Sequence, residues 1–214
     1  MSKGIFENHF NMLLVGRAGT GKTKEINRLL FENLIAEKYD HIYIVTNTNE
    51  DYKHVSNYLK RSSGCRFYSS LTEVPYLYDF DIKKLVIFDR PLDRENQDLL
   101  AEMTAKSKYN HITCLITSQT YCTVSNHIKN NCAYQLIFNL SYEMDQNTVL
   151  KQQNQFTGKE GKAKFKKMLS SAAKFPNFML VDNRTPVEIL RLRKGWDHIW
   201  NDELEDWVPL QNTD

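Results

Sequence analysis

The chain has 214 residues, of which 41% are hydrophobic, 25% charged and 12% aromatic. This length suffices for one sizeable core, and the ordinary composition excludes a wholly disordered or fibrous protein. Lysine and arginine number 28 and aspartate and glutamate 26, so the net charge of +2 excludes a surface that is basic all over. The apolar runs are too short to span a membrane, and the N-terminus lacks the apolar segment of a signal peptide. We therefore expect a soluble, unsecreted protein without membrane insertion, folded as one domain over residues 1–214.

The predicted elements alternate between strands and helices along most of the chain. Strands are predicted at Met12–Val15, Ile42–Thr46, Leu85–Phe88, Ile112–Thr117, Tyr134–Phe138, Phe178–Val181 and Glu188–Arg193. Helices are predicted at about Lys22–Ala36, Asp51–Leu59, Arg94–Ala105, Glu143–Gln153 and Glu160–Ala172. Such alternation is typical of an α/β fold with a central, mostly parallel sheet flanked by helices. The last two strands are separated by a turn sequence, which predicts a C-terminal β-hairpin on the sheet edge.

The charge is distributed unevenly in the last third of the sequence. Residues 151–174 contain seven lysines and a single acid, whereas the residues after Lys194 contain six acids and no lysine or arginine. This acidic tail, about residues 196–214, also carries Trp196, Trp200 and Trp207 at roughly helical spacing. We expect the tail to pack back on the domain or to contact another protein.

One motif predicts a phosphate-binding loop. Residues 16–23 read GRAGTGKT and fit the pattern GxxxxGK[ST], with an apolar strand immediately before and an amphipathic helix immediately after. In such loops the backbone N–H groups and the helix N-terminus surround the phosphates, the lysine bridges the β- and γ-phosphates, and the hydroxyl ligates Mg²⁺. The predicted nucleotide-binding residues are Gly16, Arg17, Ala18, Gly19, Thr20, Gly21, Lys22, Thr23 and Lys24. A glycine-rich turn that matches by chance is the alternative, and the strand and helix around it argue against that alternative.

Two further strands end in polar residues that suit nucleotide chemistry. The strand Lys84–Phe88 is followed by Asp89, which is placed to hold Mg²⁺ through water, as a Walker B aspartate does. The strand that ends at Thr117 is followed by Ser118 and Gln119. A polar tip there can orient the attacking water or sense the γ-phosphate, although a simple strand-terminal polar residue would look the same.

Together these segments resemble the FtsK/HerA superfamily of P-loop proteins. The resemblance rests on GRAGTGKT, LVIFD, ITCLITSQTY, the Asn-containing segment Ile128–Asn131 and FMLVDNRTPVEILRLRKG. Within the superfamily the sequence is most similar to the short genome-packaging ATPases of double-stranded DNA viruses, of the poxvirus, giant virus, virophage and archaeal turreted virus types.

This resemblance implies a RecA-like (ASCE-type) P-loop NTPase fold that binds ATP and Mg²⁺ and hydrolyses ATP to ADP and phosphate. Proteins of this kind form rings, as hexamers or pentamers, that pump double-stranded DNA into a capsid. It also implies a capsid or vertex protein as a partner and a location in the host cell cytoplasm, the virion or both. A cellular HerA-like DNA translocase is the main alternative among motors. A nucleoside or nucleotide kinase and a nucleotide-dependent switch with little turnover are alternatives of other classes.

The sequence departs from the superfamily pattern after the Walker B aspartate. Members generally carry a second acid there to activate water, whereas this chain has Arg90. A carboxylate is needed to orient the water and accept its proton. The candidates for that role are Asp93 and Glu95 downstream, and Glu50 or Asp51 after the second strand.

The second departure concerns the arginine that the family places before the Gln-tipped strand to reach a neighbouring subunit. The matching position here is Lys108, which supplies the charge but not the bidentate geometry of arginine. Arg90, Arg94 and Arg184 are the other candidates for this trans-acting residue. A solvated surface role is the plain alternative for each of them.

The DNA-binding residues are predicted from charge alone. Loops and helices that follow the DNA phosphates use lysine, arginine and polar side chains without reading sequence. The leading candidates are Lys162, Lys164, Lys166 and Lys167, and the segment Asn126–Asn131 comes second. A solvated helix face is the alternative interpretation of the lysines.

Overall fold

The computed structural model describes residues 9–31, 39–53, 64–75 and 81–210. The strands are β1 Asn11–Val15, β2 His41–Thr46, β3 Gly64–Tyr68, β4 Lys84–Asp89, β5 Ile112–Ser118, β6 Tyr134–Ile137, β7 Met179–Asp182, β8 Leu192–Lys194, β9 His198–Asn201 and β10 Asp206–Pro209. The α-helices are α1 Lys22–Phe31, α2 Arg94–Lys106, α3 Asn126–Asn131, α4 Glu143–Gln153, α5 Gly158–Ala172 and α6 Glu188–Arg191. Two 3₁₀ turns lie at Glu50–Tyr52 and Leu71–Glu73.

All strands in the described part of the chain belong to one sheet with the order β10-β9-β8-β7-β6-β1-β5-β4-β2-β3. The six strands from β6 to β3 in this order are parallel, and the four from β7 to β10 pair antiparallel. The strand β5 lies between β1 and β4, so the strand that ends in Asp89 is not a direct neighbour of the strand before the phosphate-binding loop. This is the mostly parallel α/β sheet that the sequence predicts.

Alternate residues of the central strands pack on opposite faces of the sheet. On β1, Leu13 and Val15 belong to one core cluster and Met12 and Leu14 to the other. Residues of α2, α3, α4 and α5 cover the first face, and α1 covers the second. Every residue of β1 is buried, as expected for a parallel strand covered on both faces. This packing fixes the start of α1, and therefore the loop before it, at one edge of the sheet.

Most predicted elements are present, and the misses are short ones. The strand β3 and the helix α3 are not predicted from the sequence, because a five-residue edge strand and a six-residue helix give little periodic signal. The predicted strand Glu188–Arg193 is wrong in its first four residues, where α6 forms, and β8 is only three residues long. The predicted helix Asp51–Leu59 falls largely outside the described residues, as does the end of the helix predicted to reach Ala36.

The acidic tail extends the sheet. The predicted antiparallel pair is β7–β8, but β9 and β10 continue the sheet beyond it, so the helical spacing of the tryptophans is misleading. Trp196, Trp200 and Trp207 are buried. The Trp207 indole N–H donates to Ser171 Oγ of α5 at 2.9 Å, and the Trp196 indole N–H donates to Glu25 Oε1 of α1 at 2.7 Å. The tail therefore packs on the domain from both sides.

Candidate functional site

The loop at residues 16–23 connects β1 to α1 at the carboxyl edge of the parallel strands. Gly16 N–H donates to the Ser118 carbonyl at the end of β5, and Arg17 N–H donates to the Asn139 carbonyl after β6, each at 3.1 Å. A Cβ on Gly16 would lie 2.6 Å from Phe138 Cβ, so glycine is required by close approach there. Gly19 and Gly21 have φ values of 74° and 101°, which L-residues with a side chain rarely adopt. The loop is thus held by the two strands on either side of β1.

Lys22 turns back into this loop. Its Nζ donates to the carbonyls of Gly16 at 2.6 Å and Arg17 at 3.0 Å, and the side chain is buried. Burial lowers the pKa of Lys22, and the charge of Asp89 opposes that shift. The ammonium group therefore lies inside the curl of the loop, where a bound phosphate would be its negatively charged partner.

Asp89 is held by three hydroxyl groups. Its Oδ2 accepts from Thr23 at 2.9 Å and from Tyr52 at 2.6 Å, and its Oδ1 accepts from Thr117 at 2.6 Å. These residues come from α1, from the turn after β2 and from β5, so the contact joins four separate segments. Burial raises the pKa of Tyr52 well above its usual value, and the charge of Asp89 and the hydrogen bond to Asp89 add smaller shifts in the same direction. Tyr52 is therefore a hydrogen-bond donor at neutral pH.

The pair formed by Thr23 and Asp89 has the chemistry of a magnesium site. Both side chains present oxygen, the ligand atom that Mg²⁺ prefers, and Mg²⁺ in phosphate sites usually takes few protein ligands beside the phosphates. Within the described residues, no cluster of three or more His, Cys, Asp and Glu side chains is arranged to hold a metal. The residues present fit a metal that is shared with a bound nucleotide.

The carboxylates proposed to activate water are engaged differently from one another. Asp93 caps α2, accepting from the Asn96 backbone N–H at 2.8 Å and from its side-chain amide at 2.7 Å. Glu95 is exposed in the first turn of the same helix. Glu50 pairs with Lys53 at 3.5 Å, and Asp51 is exposed beside Tyr52. Asp93 is thus committed to a cap, whereas the other three carboxylates are accessible at this edge.

Gln119 and two of the candidate basic residues, Lys108 and Arg184, lie at opposite edges of the sheet. Gln119 is exposed one residue beyond Ser118, whose carbonyl holds the phosphate-binding loop. Lys108 is exposed in the turn before β5, at the amino edge. Arg184, also at that edge, is folded back on Asp182 at 3.2 Å and on the Tyr134 ring at 4.1 Å, instead of projecting from its turn. Neither Lys108 nor Arg184 lies near the phosphate-binding loop of its own chain, whereas Arg90 and Arg94 follow Asp89 at the carboxyl edge.

Two of the four candidate DNA-binding lysines are paired with the acidic tail. Lys164 contacts Asp202, and Lys167 Nζ lies 2.5 Å from Glu205 Oε2. The Lys164 ammonium also lies over the Phe156 ring at 4.2 Å. Lys162 and Lys166 are exposed on the same helix, α5. A helix that the sequence presents as a free basic face is therefore partly neutralised within its own chain.

A cleft of about 520 Å³ adjoins the phosphate-binding loop on the β6 side. Phe138, Asn139 and Leu140 form the wall nearest the loop, and residues of α4, of α5 and of the two positions after α5 form the remainder. Phe175, 63% exposed, lies beside Gly21 at the same edge. The cleft combines apolar surface with amide groups directly beside the phosphate-binding residues.

Tyr52 and Thr117 are site residues that the sequence does not predict. Tyr52 lies in a segment predicted as a helix, and Thr117 lies at the end of a predicted strand. Their contact with Asp89 depends on the strand order, because β2 and β5 flank β4 only once the sheet is formed. The sequence signal for Thr117 is its place at the carboxyl end of the strand, and it is weak because the strand also contains Thr113.

The strand order and the loop at the carboxyl edge define a RecA-like P-loop ATPase fold. Residues 2–59, which include the phosphate-binding loop, match the family model described as "Poxvirus A32 protein". No curated protein matches the chain significantly.

Solved structures share this fold at low sequence identity. The DNA-packaging ATPase B204 from Sulfolobus turreted icosahedral virus is 12% identical with a TM-score of 0.61, over 82% of this chain and 94% of that one. The genome-packaging NTPase B204 from Sulfolobus turreted icosahedral virus 2, in complex with ATP-gammaS, is 14% identical with a TM-score of 0.58, over 85% and 96%. EssC (ATPases 2 and 3) from Geobacillus thermodenitrificans is 9% identical with a TM-score of 0.54, over 81% and 38%. These structures confirm the fold class predicted from the sequence, and the family match over residues 2–59 is to the poxvirus type named in the resemblance.

Proposed function

We propose that this protein is an ATPase that couples hydrolysis of ATP to ADP and phosphate, in a ring of identical subunits, to packaging of double-stranded viral DNA into a capsid. The observation that carries the proposal is the contact of Thr23 with Asp89 beside the Lys22 loop. The family match over residues 2–59 and the likeness to viral packaging ATPases support the viral and DNA-directed part of it.

In this proposal the loop residues bind the phosphates and Lys22 neutralises the β- and γ-phosphate oxygens. Mg²⁺, when bound, would balance the charge that develops between these phosphates, with Thr23 and Asp89 as its protein partners. Gln119 would orient the attacking water from the tip of β5. Glu95, Glu50 and Asp51 are the accessible candidates for accepting its proton, and Asp93 is the weaker candidate because it caps α2. The cleft on the β6 side would take the nucleoside.

The ring is proposed because two of the basic candidates, Lys108 and Arg184, cannot serve their own site. Lys108 and Arg184 lie at the amino edge, whereas the phosphate-binding loop lies at the carboxyl edge. A neighbouring subunit would bring its amino edge to that loop, and Lys108, which is exposed, is better placed than Arg184 to reach across. Lys162 and Lys166, with Lys164 and Lys167 when released from the tail, would follow the DNA phosphates. A capsid or vertex protein is the expected docking partner during packaging.

The decisive experiment measures ATP hydrolysis with and without duplex DNA for the wild type and Lys22→Ala. We expect DNA to stimulate turnover and Lys22→Ala to lower it about 100-fold or more, because the phosphates lose their buried cation. Lys106→Ala, an exposed lysine of α2, is the matched control and should behave as the wild type.

Three outcomes would contradict the proposal. Phosphate transfer from ATP to a nucleoside would indicate a kinase, and nucleotide binding without turnover would indicate a switch. A strict monomer in the presence of DNA and a non-hydrolysable ATP analogue would exclude catalysis across a subunit interface.

A further inference from the structure

A second polar cavity lies at the amino edge of the sheet, away from the phosphate-binding loop. It has a volume of about 470 Å³ and lies where α3 enters β6 and where the chain leaves β7. Because β6 runs parallel to β1 for four paired residues, at about 3.3 Å per residue, roughly 13 Å separates this edge from the loop. The cavity is therefore not part of the proposed ATP site.

The lining of this cavity is rich in hydrogen-bond donors. Two cationic side chains, Lys129 and Arg191, line it, and none of the described residues that line it is an acid. The remaining lining residues are six side-chain amides, Asn126, Asn130, Gln135, Gln152, Gln153 and Asn183. Amide N–H groups beside fixed cations are the usual partners of phosphate oxygens.

The main feature of this cavity is the buried cation of Lys129. Its side chain is 4% exposed, and among the described residues its ammonium group donates no hydrogen bond. The ammonium lies over the Tyr121 ring at 4.4 Å. Asp145, the carboxylate in the described chain that acts on Lys129, accepts from the Cys122 backbone N–H through Oδ1 at 2.7 Å, while its Oδ2 is buried without a hydrogen-bond partner among the described residues. Burial lowers the pKa of Lys129, and the charges of Cys122 and Asp145 oppose that shift.

The groups around Lys129 are already fixed in place. Arg191 donates to Gln153 Oε1 at 2.7 Å, and Gln153 donates to the Tyr121 hydroxyl at 2.9 Å. The Tyr121 hydroxyl donates to Gln135 Oε1 at 2.9 Å. These bonds hold the guanidinium and the amides before any ligand binds, which reduces the ordering cost of binding.

We infer that this cavity binds a phosphate group through Lys129, Arg191 and the surrounding amides. A DNA backbone phosphate and a free inorganic phosphate share the chemistry that the cavity recognises. The DNA source rests on the proposed function, whereas binding of free phosphate does not.

The test has two arms, both in the full chain and without ATP. In the first, duplex DNA binding is measured by fluorescence anisotropy across a salt series for the wild type, Lys129→Met and Asn130→Asp. Lys129→Met keeps an apolar stem in the buried position. Asn130→Asp adds a negative charge at an exposed lining position, where folding is not at stake. Lys106→Met is the control for loss of one lysine charge, and circular dichroism checks that each variant is folded.

We expect the slope of log K against log salt to fall by about 0.9 for Lys129→Met, because one DNA phosphate loses its cation. The dissociation constant for duplex DNA should rise about tenfold in both cavity variants. In Lys106→Met it should change only by the general effect of losing one lysine charge. In the second arm, isothermal calorimetry with inorganic phosphate should give heat that Lys129→Met abolishes if free phosphate is the ligand.

A Lys129-dependent change in either arm supports the site and identifies the source of the phosphate. Identical behaviour of the wild type and both cavity variants in both arms would overturn it. Because ATP hydrolysis is not measured in this test, such a failure is separate from a failure of the Lys22→Ala experiment.

Discussion

At the scale of single residues, Asp89 depends on partners from distant parts of the sequence. Tyr52 is fully buried and donates to the carboxylate oxygen that Thr23 also contacts, while Thr117 holds the other oxygen. Hydroxyl donors of this kind fix the orientation of a carboxylate before a metal binds. We propose that Tyr52 positions Asp89 without touching the nucleotide.

Tyr52→Phe should therefore raise about tenfold the magnesium concentration at the midpoint of nucleotide binding, because Asp89 loses one of its orienting hydrogen bonds. The measurement is a magnesium titration of the binding of a fluorescent ATP analogue. Tyr39→Phe is the matched control, since the Tyr39 hydroxyl is buried and bonded to Thr113 Oγ1, away from Asp89. Equal magnesium midpoints for Tyr52→Phe and the wild type would show that Thr23 and Thr117 orient Asp89 without Tyr52.

At the scale of elements, the sequence predicted those whose signal is local. The phosphate-binding loop, β4, β5 and the lysine-bearing helix follow from motif, apolar runs and helical periodicity. The partners of Asp89, the strand β3 and the docking of the tail depend on contacts between segments far apart in the chain. Trp196 and Glu25 are 171 positions apart, and no pattern within a local window predicts their bond.

The ion pairs between α5 and the β9–β10 hairpin should compete with DNA for the lysines of α5. Asp202→Asn combined with Glu205→Gln should release Lys164 and Lys167 and strengthen DNA binding. The gain should be about twofold to fivefold beyond the control, since exposed ion pairs are worth little. The control is Asp197→Asn with Glu203→Gln, which removes the same charge from acids that contact no α5 lysine in the described structure.

Dissociation constants of both double variants for duplex DNA would be compared at one salt concentration. An equal gain in both would mean that the tail acts only through its total charge. A gain restricted to the Asp202 and Glu205 variant would identify the hairpin as a competitor for the α5 lysines.

At the scale of the whole molecule, the net charge of +2 hides opposite charges that meet inside the fold. The acidic tail lies against the lysines of α5. None of the described helices combines the length and the apolar character that a membrane span requires. The sheet separates the candidate ATP site at its carboxyl edge from the amide-lined cavity at its amino edge.

The buried tyrosines predict a loss of stability in alkali. Burial raises the pKa of Tyr39 and of Tyr121 to about 12, against about 10 in the unfolded chain. The folded state keeps these protons longer, so their contribution is complete below pH 10 and is lost as pH rises from 10 to 12. Since a tenfold change in proton affinity is about 1.4 kcal/mol, each tyrosine accounts for about 3 kcal/mol.

Urea unfolding between pH 8 and 11.5 measures this effect. Tyr121→Phe should flatten the decline in the free energy of unfolding above pH 10, whereas Tyr109→Phe, at an 80% exposed position, should leave it unchanged. A free energy that stays constant up to pH 11.5 in the wild type would contradict the prediction.

The three tryptophans give the protein internal fluorophores for two separate regions. The Trp196 indole is bonded to Glu25, three positions after Lys22 on α1, so its emission should respond to events in the phosphate-binding loop. Trp200 and Trp207 are stacked edge to face at 5.4 Å beside α5, and their emission should respond to release of the lysines from the hairpin. Single-tryptophan variants would therefore separate nucleotide binding from DNA binding in real time without any added label.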